Sequence, residues 1–234
     1  MARLILFPVP IGADISSSLP AANMSFINDC KTFIVEEPRT ARRFLKQAGY
    51  PHPLDEITLH ILNEHTEPQE ITHYLDAIER GEDVALLSEA GLPCVADPGA
   101  MVTRMAQSKG IEILPLVGPS SLMLALMASG LNGQSFAFHG YLPVDRQRRA
   151  SSIKALETSA IKTGQTQIFI EAPYRNNQML QSLAETCRPD TLICVACDIM
   201  LDSQTIRTHT AAKWRKELST INLHKRNTVF LIGV

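Results

Sequence analysis

The sequence lacks the features that mark several large classes of protein. Only 6% of its 234 residues are aromatic and 20% are charged, and the formal net charge of −2 is close to balance. Such a balance excludes a uniformly basic nucleic-acid-binding protein. The chain shows no internal repeat or low-complexity segment, and 45% of its residues are apolar, which is ample for a folded core. A disordered chain, a collagen-like chain and a coiled coil are therefore excluded.

Long apolar segments are missing as well. The apolar run before Pro8 is shorter than the roughly 7–15 residues of a signal-peptide core. Residues 113–144 contain no Asp, Glu, Lys or Arg. Proline and glycine residues divide this segment into apolar stretches that are each shorter than the roughly 20 residues of a membrane span. We therefore expect neither a signal peptide nor a membrane segment. The odd number of cysteines, five, is typical of a reduced cytoplasmic protein.

Common catalytic motifs are absent too. The seven histidines show no HExxH-type spacing. Cys194 and Cys197 lie in an apolar strand pattern, where residues three apart face opposite sides. We therefore expect no metal site. The chain also has no Walker A motif, no GxSxG and no GxGxxG after its first strand, which argues against P-loop NTPases, α/β-hydrolases and Rossmann dehydrogenases.

Strand and helix patterns alternate along the chain, which predicts an α/β fold with largely parallel sheets. The Gly118-Pro119 pair interrupts this alternation and predicts two domains, residues 1–116 and 117–234. The predicted strands are residues 3–9, 32–35, 56–62, 84–87, 111–114, 136–140, 166–170, 192–197, 204–209 and 228–234. The predicted helices are residues 40–48, 69–80, 101–109, 120–128, 146–159 and 176–186.

The two halves of the chain carry opposite charge. Residues 1–117 contain 9 Lys and Arg against 16 Asp and Glu, a net charge of −7, whereas residues 118–234 contain 13 against 8, a net charge of +5. Two domains of opposite sign are expected to meet different partners.

Four loops rich in proline, glycine and serine follow predicted strands, at residues 8–12, 88–93, 118–121 and 171–175. Open α/β sheets bind ligands outside the carboxyl ends of their strands. The third loop also begins a helix, whose first N–H groups can hold a polar ligand. Any one loop fits a tight turn, but four at strand ends in both halves favour a ligand cleft.

Six motifs in and around these loops occur in a fixed order. They are FPVPIGA (7–13), VEEPR (35–39), LLSEAGLPCVADPG (86–99), LPLVGPSSLMLALMASGL (114–131), FHGYLP (138–143) and FIEAPYR (169–175). Together they resemble the tetrapyrrole-methylase superfamily and, within it, the branch of small-subunit ribosomal RNA cytidine 2′-O-methyltransferases. The resemblance covers about residues 3–234. It implies two α/β domains, S-adenosylmethionine (SAM) bound in a cleft between them, and a homodimer.

The resemblance also implies which residues form the site. Glycine and small side chains there let the backbone approach the cofactor closely. The implied cofactor-binding residues are Pro10, Ser88, Glu89, Gly91, Leu92, Pro119, Ser120, Ser121, Ala172 and Thr228. The implied catalytic residues are Glu37, Arg39, Asp97 and Arg175.

Three segments depart from the pattern of that branch. Glu36-Glu37-Pro38-Arg39 stands where an acidic-Asp-Thr-Arg run is expected, and Pro173-Tyr174-Arg175 where the branch has Ser-His-Arg or Pro-His-Arg. Arg226-Asn227 replaces a Gly-Glu pair. Arg39, Asp97 and Arg175 are retained, so the expected scaffold is unaffected while the substrate is left open.

The candidate catalytic residues suit methyl transfer, but each of them could instead have a purely structural role. Glu36, Glu37 or Asp97 could accept the proton of an acceptor hydroxyl, or could be solvated or helix-terminal charges. Arg39 and Arg175 could hold a phosphate or a carboxylate, or could pair with Glu36 or Glu37.

Three functions fit the sequence: methylation of RNA, on ribosomal RNA ribose 2′-oxygen; methylation of a tetrapyrrole or other small molecule; and SAM binding without catalysis. RNA, or the small ribosomal subunit, is expected to avoid the acidic half and to meet the basic one. Three basic groups could follow an RNA backbone: Arg39, Arg42, Arg43 and Lys46; Arg146, Arg148 and Arg149; and Lys213, Arg215 and Lys216. The group on residues 146–149 is the main candidate.

Overall fold

The strands predicted in the first half of the chain form one parallel sheet in the computed structural model, which describes residues 2–12 and 14–234. Met1 and Ala13, the last residue of FPVPIGA, lie outside the described residues. β2 and β4 are buried at every residue, as is typical of central parallel strands. The strands are β1 (Arg3–Phe7), β2 (Thr32–Val35), β3 (Thr58–Ile61), β4 (Val84–Leu87) and β5 (Glu112–Pro115), in the spatial order β3-β2-β4-β1-β5.

Helices connect these strands, and the first of them shows most clearly why its sequence folds as it does. Pro38 occupies the first turn, where a missing N–H costs nothing. The Glu37 carboxylate caps the helix by accepting a hydrogen bond from Arg39 N at 3.0 Å. Ala41 and Phe44 bury the apolar face. The helices are α1 (Pro38–Gln47), α2 (Pro68–Ile71), α3 (Asp76–Glu79) and α4 (Ala100–Ser108), with a 3-10 helix at Ala21–Phe26.

The single helix predicted over residues 69–80 is wrong, because the chain breaks between α2 and α3. Tyr74 lies at the break, where its buried ring stacks on His60 with the ring centroids 4.7 Å apart and its hydroxyl donates to Ile61 O. Thr72 Oγ1 donates to the carbonyl three residues earlier, a local bond that competes with helix formation. Anchoring of Tyr74 to β3 therefore outweighs the helical periodicity.

The second sheet is mixed, and the expectation of a largely parallel sheet is wrong for this half. β6 and β7 are parallel, whereas β10 runs antiparallel to both β7 and β8, and β9 runs antiparallel to β8. Only seven residues separate β8 from β9, too few for a parallel crossover. The strands are β6 (Phe136–Tyr141), β7 (Thr166–Ile170), β8 (Leu192–Cys197), β9 (Thr205–Thr210) and β10 (Thr228–Gly233), in the order β6-β7-β10-β8-β9.

The helices of this half include one that the sequence prediction missed. That helix holds Trp214, a fully buried side chain whose Nε1 donates to Ile193 O at 2.9 Å. The longest helix has clear local signals, because Asp145 caps its start and Gly164 ends it in a left-handed conformation with φ 68°. The helices are α5 (Ser121–Ser129), α6 (Arg146–Thr163), α7 (Asn176–Thr186) and α8 (Ala211–Glu217), with a 3-10 helix at Pro173–Arg175.

The two sheets with their helices confirm the predicted α/β class. By its internal contacts the chain divides into a unit that ends at Ser120 and a unit that begins at Ser121. The boundary at residues 116 and 117 stays a prediction. Among the described residues, no helix has the length and apolar character needed to cross a membrane.

The segment after β5 approaches the segment after β1 very closely. A Cβ atom on Gly118 would lie 2.2 Å from Pro8 Cβ, closer than any real contact. The neighbouring Val117 carbonyl accepts a hydrogen bond from Asn23 Nδ2 at 2.8 Å. Glycine is therefore required at position 118 by the proximity of Pro8.

Arg149 belongs to the basic group expected to contact RNA, but its side chain forms hydrogen bonds within the second unit. Its side chain is buried, Nε donates to Ser182 Oγ at 3.0 Å and Nη1 donates to Val144 O at 2.9 Å. The guanidinium thus joins α6 to α7 and to the turn before α6. The expectation that Arg149 contacts phosphate is therefore wrong, whereas its neighbour Arg148 is exposed.

We predict that Gly118→Ala lowers the free energy of unfolding by about 1–3 kcal/mol, because the added methyl group must displace Pro8. Urea denaturation measures the change. Gly133→Ala is the control, since a Cβ there meets no atom within 4 Å. Equal stability of the Gly118→Ala variant and the wild type would contradict the close approach.

Arg149→Ala and Arg148→Ala remove the same charge from adjacent positions of α6. We expect the first to cost about 1–3 kcal/mol, because it removes a buried side chain and leaves Ser182 Oγ and the Val144 carbonyl without their partner, and the second to stay within about 0.5 kcal/mol. Thermal unfolding followed by circular dichroism compares them. Similar melting temperatures for the two variants would show that the Arg149 bonds contribute little.

Candidate functional site

The loops after β1 and β4 are joined at the middle of the first sheet. β1 and β4 are neighbours, and the chain leaves them in opposite directions, from β1 toward β2 and from β4 toward β5. Their carboxyl ends therefore form a topological switch point, the place where open α/β sheets bind ligands. Val9 N donates to Gly91 O and Gly91 N donates to Val9 O, both at 3.0 Å.

Gly91 meets two separate demands for glycine. Its φ of +80° lies in the left-handed region, and a Cβ would lie 3.2 Å from Pro119 O and 3.3 Å from Ile11 Cγ2. The buried Ser88 hydroxyl donates to Gly91 O at 2.7 Å, so this carbonyl accepts two hydrogen bonds. The tip of the β4 loop is thus held against the β1 loop with no room for a side chain.

An open cavity of about 180 Å³ lies beside this junction and is lined by residues of the β1 loop, the β4 loop and α1. Three of the sequence-predicted residues, Pro10, Ser88 and Glu89, line it. Typical pockets for drug-sized ligands measure about 300–1,000 Å³, so this cavity has room for one portion of such a molecule.

The residues that α1 contributes to the cavity were missed by the sequence prediction. Thr40, Arg43 and Gln47 line it, and Thr40 Oγ1 donates to Glu89 Oε1 at 2.5 Å. Their spacing of three and seven residues places them on one helical face. That spacing, next to the VEEPR motif, is the signal that could have revealed them.

Three carboxylates gather at the carboxyl ends of β2 and β4. Burial raises the pKa of Glu36 above its ordinary value, and the negative charges of Asp97 and Glu89 raise it further, while a hydrogen bond from the Glu89 backbone acts in the opposite direction. Burial also raises the pKa of Asp97. Among the described residues, no group of three or more His, Cys, Asp or Glu is arranged to hold a metal ion.

The structure gives these carboxylates different tasks. Glu37 caps α1, in agreement with the interpretation that it is a helix-terminal charge. Asp97 Oδ1 holds the β4 loop together by accepting from Cys94 N and Gly99 N, both at 2.7 Å. Glu36 is half-buried with a raised pKa, the property that suits a general base. The geometry therefore favours Glu36 over Glu37 for proton abstraction.

The two candidate arginines differ in their surroundings. Arg39 is exposed, and within the described part of the chain it forms no ion pair with Glu36 or Glu37. Arg175, in the second unit, donates through Nη2 and Nε to Glu171 Oε1 at 2.6 and 2.9 Å. These bonds to a fully buried carboxylate raise the pKa of Arg175. For Arg175 the expected pairing with Glu36 or Glu37 is wrong.

Ala172 and Thr228 lie at one end of the second sheet. Ala172 follows β7, Thr228 begins β10, and Val229 pairs with Ile170 in antiparallel register. Ala172 N donates to Glu171 Oε1 at 2.7 Å. The predicted cofactor residues thus fall into two groups. Those of the first unit are Pro10, Ser88, Glu89, Gly91, Leu92, Pro119 and Ser120, and those of the second are Ser121, Ala172 and Thr228.

Curated relatives of this chain are ribosomal RNA methyltransferases. Ribosomal RNA small subunit methyltransferase I of Pseudomonas aeruginosa is 34% identical over 182 residues, which cover 78% of this chain and 60% of the relative. The protein of that name from Xylella fastidiosa is 30% identical over 197 residues, which cover 84% and 69%. The chain therefore spans about 60% of the length of the Pseudomonas relative.

Two solved structures share the fold. The methyltransferase CobJ superposes with a TM-score of 0.63 at 20% identity, covering 100% of this chain and 94% of that structure. The cobalt precorrin-4 methyltransferase CbiF superposes with a TM-score of 0.62 at 12% identity, covering 99% and 94%. The family model of the tetrapyrrole (corrin/porphyrin) methylases matches residues 6–213. The chain therefore belongs to the tetrapyrrole (corrin/porphyrin) methylase family.

Proposed function

We propose that this protein is a SAM-dependent methyltransferase that methylates ribosomal RNA of the small subunit on a ribose 2′-oxygen. One observation carries the proposal. At the carboxyl ends of the central strands, Gly91 joins the β1 and β4 loops, and the carboxylates of Glu36, Glu89 and Asp97 lie close to one another. The names of the relatives from Pseudomonas and Xylella support the substrate class. As in the resembling branch, we propose a homodimer and a cytoplasmic location.

The residues at this edge fit SAM. The cofactor carries a sulfonium and an ammonium group, and the carboxylates of Glu36, Glu89 and Asp97 would stabilise positive charge there. Gly91 would act indirectly, by holding the β1 and β4 loops together beside the cofactor, because its N–H and C=O are bonded to Val9 and its missing side chain lets Pro119 O and Ile11 Cγ2 come close. Pro10, Ser88 and Glu89 would hold one portion of the cofactor in the cavity of about 180 Å³. When bound, SAM supplies an electrophilic methyl group.

The protein's own part in the reaction is alignment and proton transfer. Correct alignment of two reactants can contribute about 7–11 kcal/mol to lowering a barrier. Glu36 would accept the proton of the ribose hydroxyl, because its raised pKa brings its basicity closer to neutral pH than that of an ordinary glutamate. Arg39, exposed at the start of α1, would hold a neighbouring phosphate.

Tritiated-methyl transfer tests the proposal. The wild-type protein is incubated with labelled SAM and either purified bacterial small ribosomal subunits or a porphyrinogen extract. We expect label in ribosomal RNA, at a nucleotide whose 3′ linkage resists alkaline hydrolysis, as 2′-O-methylation requires. Label in the porphyrinogen fraction alone would establish a small-molecule methyltransferase. SAM binding with transfer to neither would establish a binding protein without catalysis.

We predict that Gly91→Leu weakens SAM binding about tenfold or more, a loss of at least about 1.4 kcal/mol, because the side chain must displace Pro119 and Ile11 and so disturb the loops that would hold the cofactor. Isothermal titration calorimetry measures the affinity. Gly110→Leu is matched in backbone strain, since its φ is +67°, but a Cβ there meets no atom within 4 Å. Unchanged affinity in a folded Gly91→Leu variant would refute the placement of the cofactor.

Glu36→Gln should affect stability and binding in opposite directions. Because the folded-state pKa of Glu36 is above its ordinary value of 4.5, its ionised form is unfavourable in the fold, a penalty that grows as pH rises above 4.5 and vanishes below it. We therefore expect the variant to have a higher Tm than the wild type at pH 7–8, but no advantage below about pH 4.

At neutral pH the same variant should bind SAM more weakly, because it removes a negative charge facing a cation. Thermal scans across pH and calorimetry provide the two readouts. Glu82→Gln, at an exposed glutamate, is the control and should change neither. A lower Tm at pH 8 together with unchanged SAM affinity would contradict the assigned role of Glu36.

A further inference from the structure

The outer face of α1 carries a row of four cations. Arg39, Arg42, Arg43 and Lys46 are exposed, and their spacing of three, four and seven residues places them on one helical face. The helix itself contains no Asp or Glu. Across the described residues, none of the four side chains takes part in an ion pair. A helix face held by salt bridges carries charges of alternating sign, and this one does not.

The basic residues of the second unit are less available than their number suggests. Arg215 donates through Nε and Nη2 to the carbonyls of Ala184 and Cys187, at 2.5 and 2.7 Å, and so caps the end of α7. Arg149 is buried as described above. Arg226 Nε donates to Asp198 Oδ2 at 2.7 Å. The net charge of +5 therefore includes cations whose donors are already engaged.

The row of cations on α1 also borders the candidate site. Arg43 belongs both to the row and to the cavity lining, where Thr40 and Gln47 are its neighbours on the helix. The row extends about 10 Å along the helix axis, enough for more than one phosphate group. Arg39 lies in the first turn, where the positive end of the helix dipole adds to its attraction for anions.

We propose that this face of α1 binds the phosphodiester backbone of the RNA substrate next to the nucleotide being methylated. The inference rests on the proposed function and names the surface that the RNA meets. Guanidinium groups bind phosphate in a bidentate manner, and such contacts position a nucleic acid without reading its sequence. RNA was expected to avoid the acidic half of the chain. We propose instead that it binds a local basic face within that half.

The test uses Arg42→Gln/Lys46→Gln, which changes two cations of the row that do not line the cavity. Binding to small ribosomal subunits is measured at increasing KCl concentrations, and the slope of log K against log[KCl] is compared. Each lost phosphate contact lowers the slope by about 0.7 for single strands, so a loss of up to about 1.4 is expected. Arg148→Gln/Lys154→Gln removes the same charge from two exposed positions of α6 that form no ion pair among the described residues, and is the matched control. Arg42→Lys/Lys46→Arg keeps the charge and should restore the slope.

The outcomes separate this inference from the proposed function. A lower slope for the α1 variant alone, with unchanged SAM affinity, supports the docking face. A wild type that methylates ribosomal RNA, combined with an unchanged slope in the α1 variant or an equal decrease in the α6 variant, overturns the docking face only. A wild type that neither binds nor methylates RNA overturns the proposed function and the docking face together.

Discussion

The pair of hydrogen bonds between Val9 and Gly91 is the constraint on which the candidate site depends. It joins the loops that leave two adjacent strands at the switch point, and it requires Gly91 in a left-handed conformation. Ser88 donates a second hydrogen bond to the Gly91 carbonyl, which fixes the residues that follow β4. Glu89 is then positioned to reach Thr40, so the strand ends and α1 form one connected arrangement.

α1 shows how ten residues can serve three surfaces at once. Ala41, Phe44 and Leu45 pack into the core, Thr40, Arg43 and Gln47 line the cavity, and Arg39, Arg42 and Lys46 are exposed outside it. A helical repeat of 3.6 residues separates these surfaces by about 100° per residue, so neighbours in sequence have different environments. Burial alone therefore does not predict the effect of a substitution in this helix; the face on which the residue lies has to be known as well.

The sequence predicts the secondary structure best where local signals and burial agree. The strands at 32–35, 84–87, 166–170 and 192–197 match the observed bounds, because these short apolar β-branched runs are buried in sheet interiors. The break between α2 and α3 could not be read locally, because it depends on Tyr74 reaching β3. The antiparallel insertion of β10 between β7 and β8 is equally non-local, since strand alternation says nothing about the direction of a final strand.

For the candidate site, the motifs identified the loops but not the task of each side chain. The acidic residues at 36 and 37 look alike in sequence, yet one is half-buried beside two carboxylates and the other caps a helix. Net charge is a poor guide for a similar reason. It counts Arg149 and Arg215 equally with exposed cations, although the guanidinium groups of these two residues form hydrogen bonds within the fold. An anion responds to the cations that are solvated and close together. A domain with a net charge of −7 can therefore present a basic face to a phosphate where exposed cations follow one another on a helix that itself contains no acid, as they do on α1.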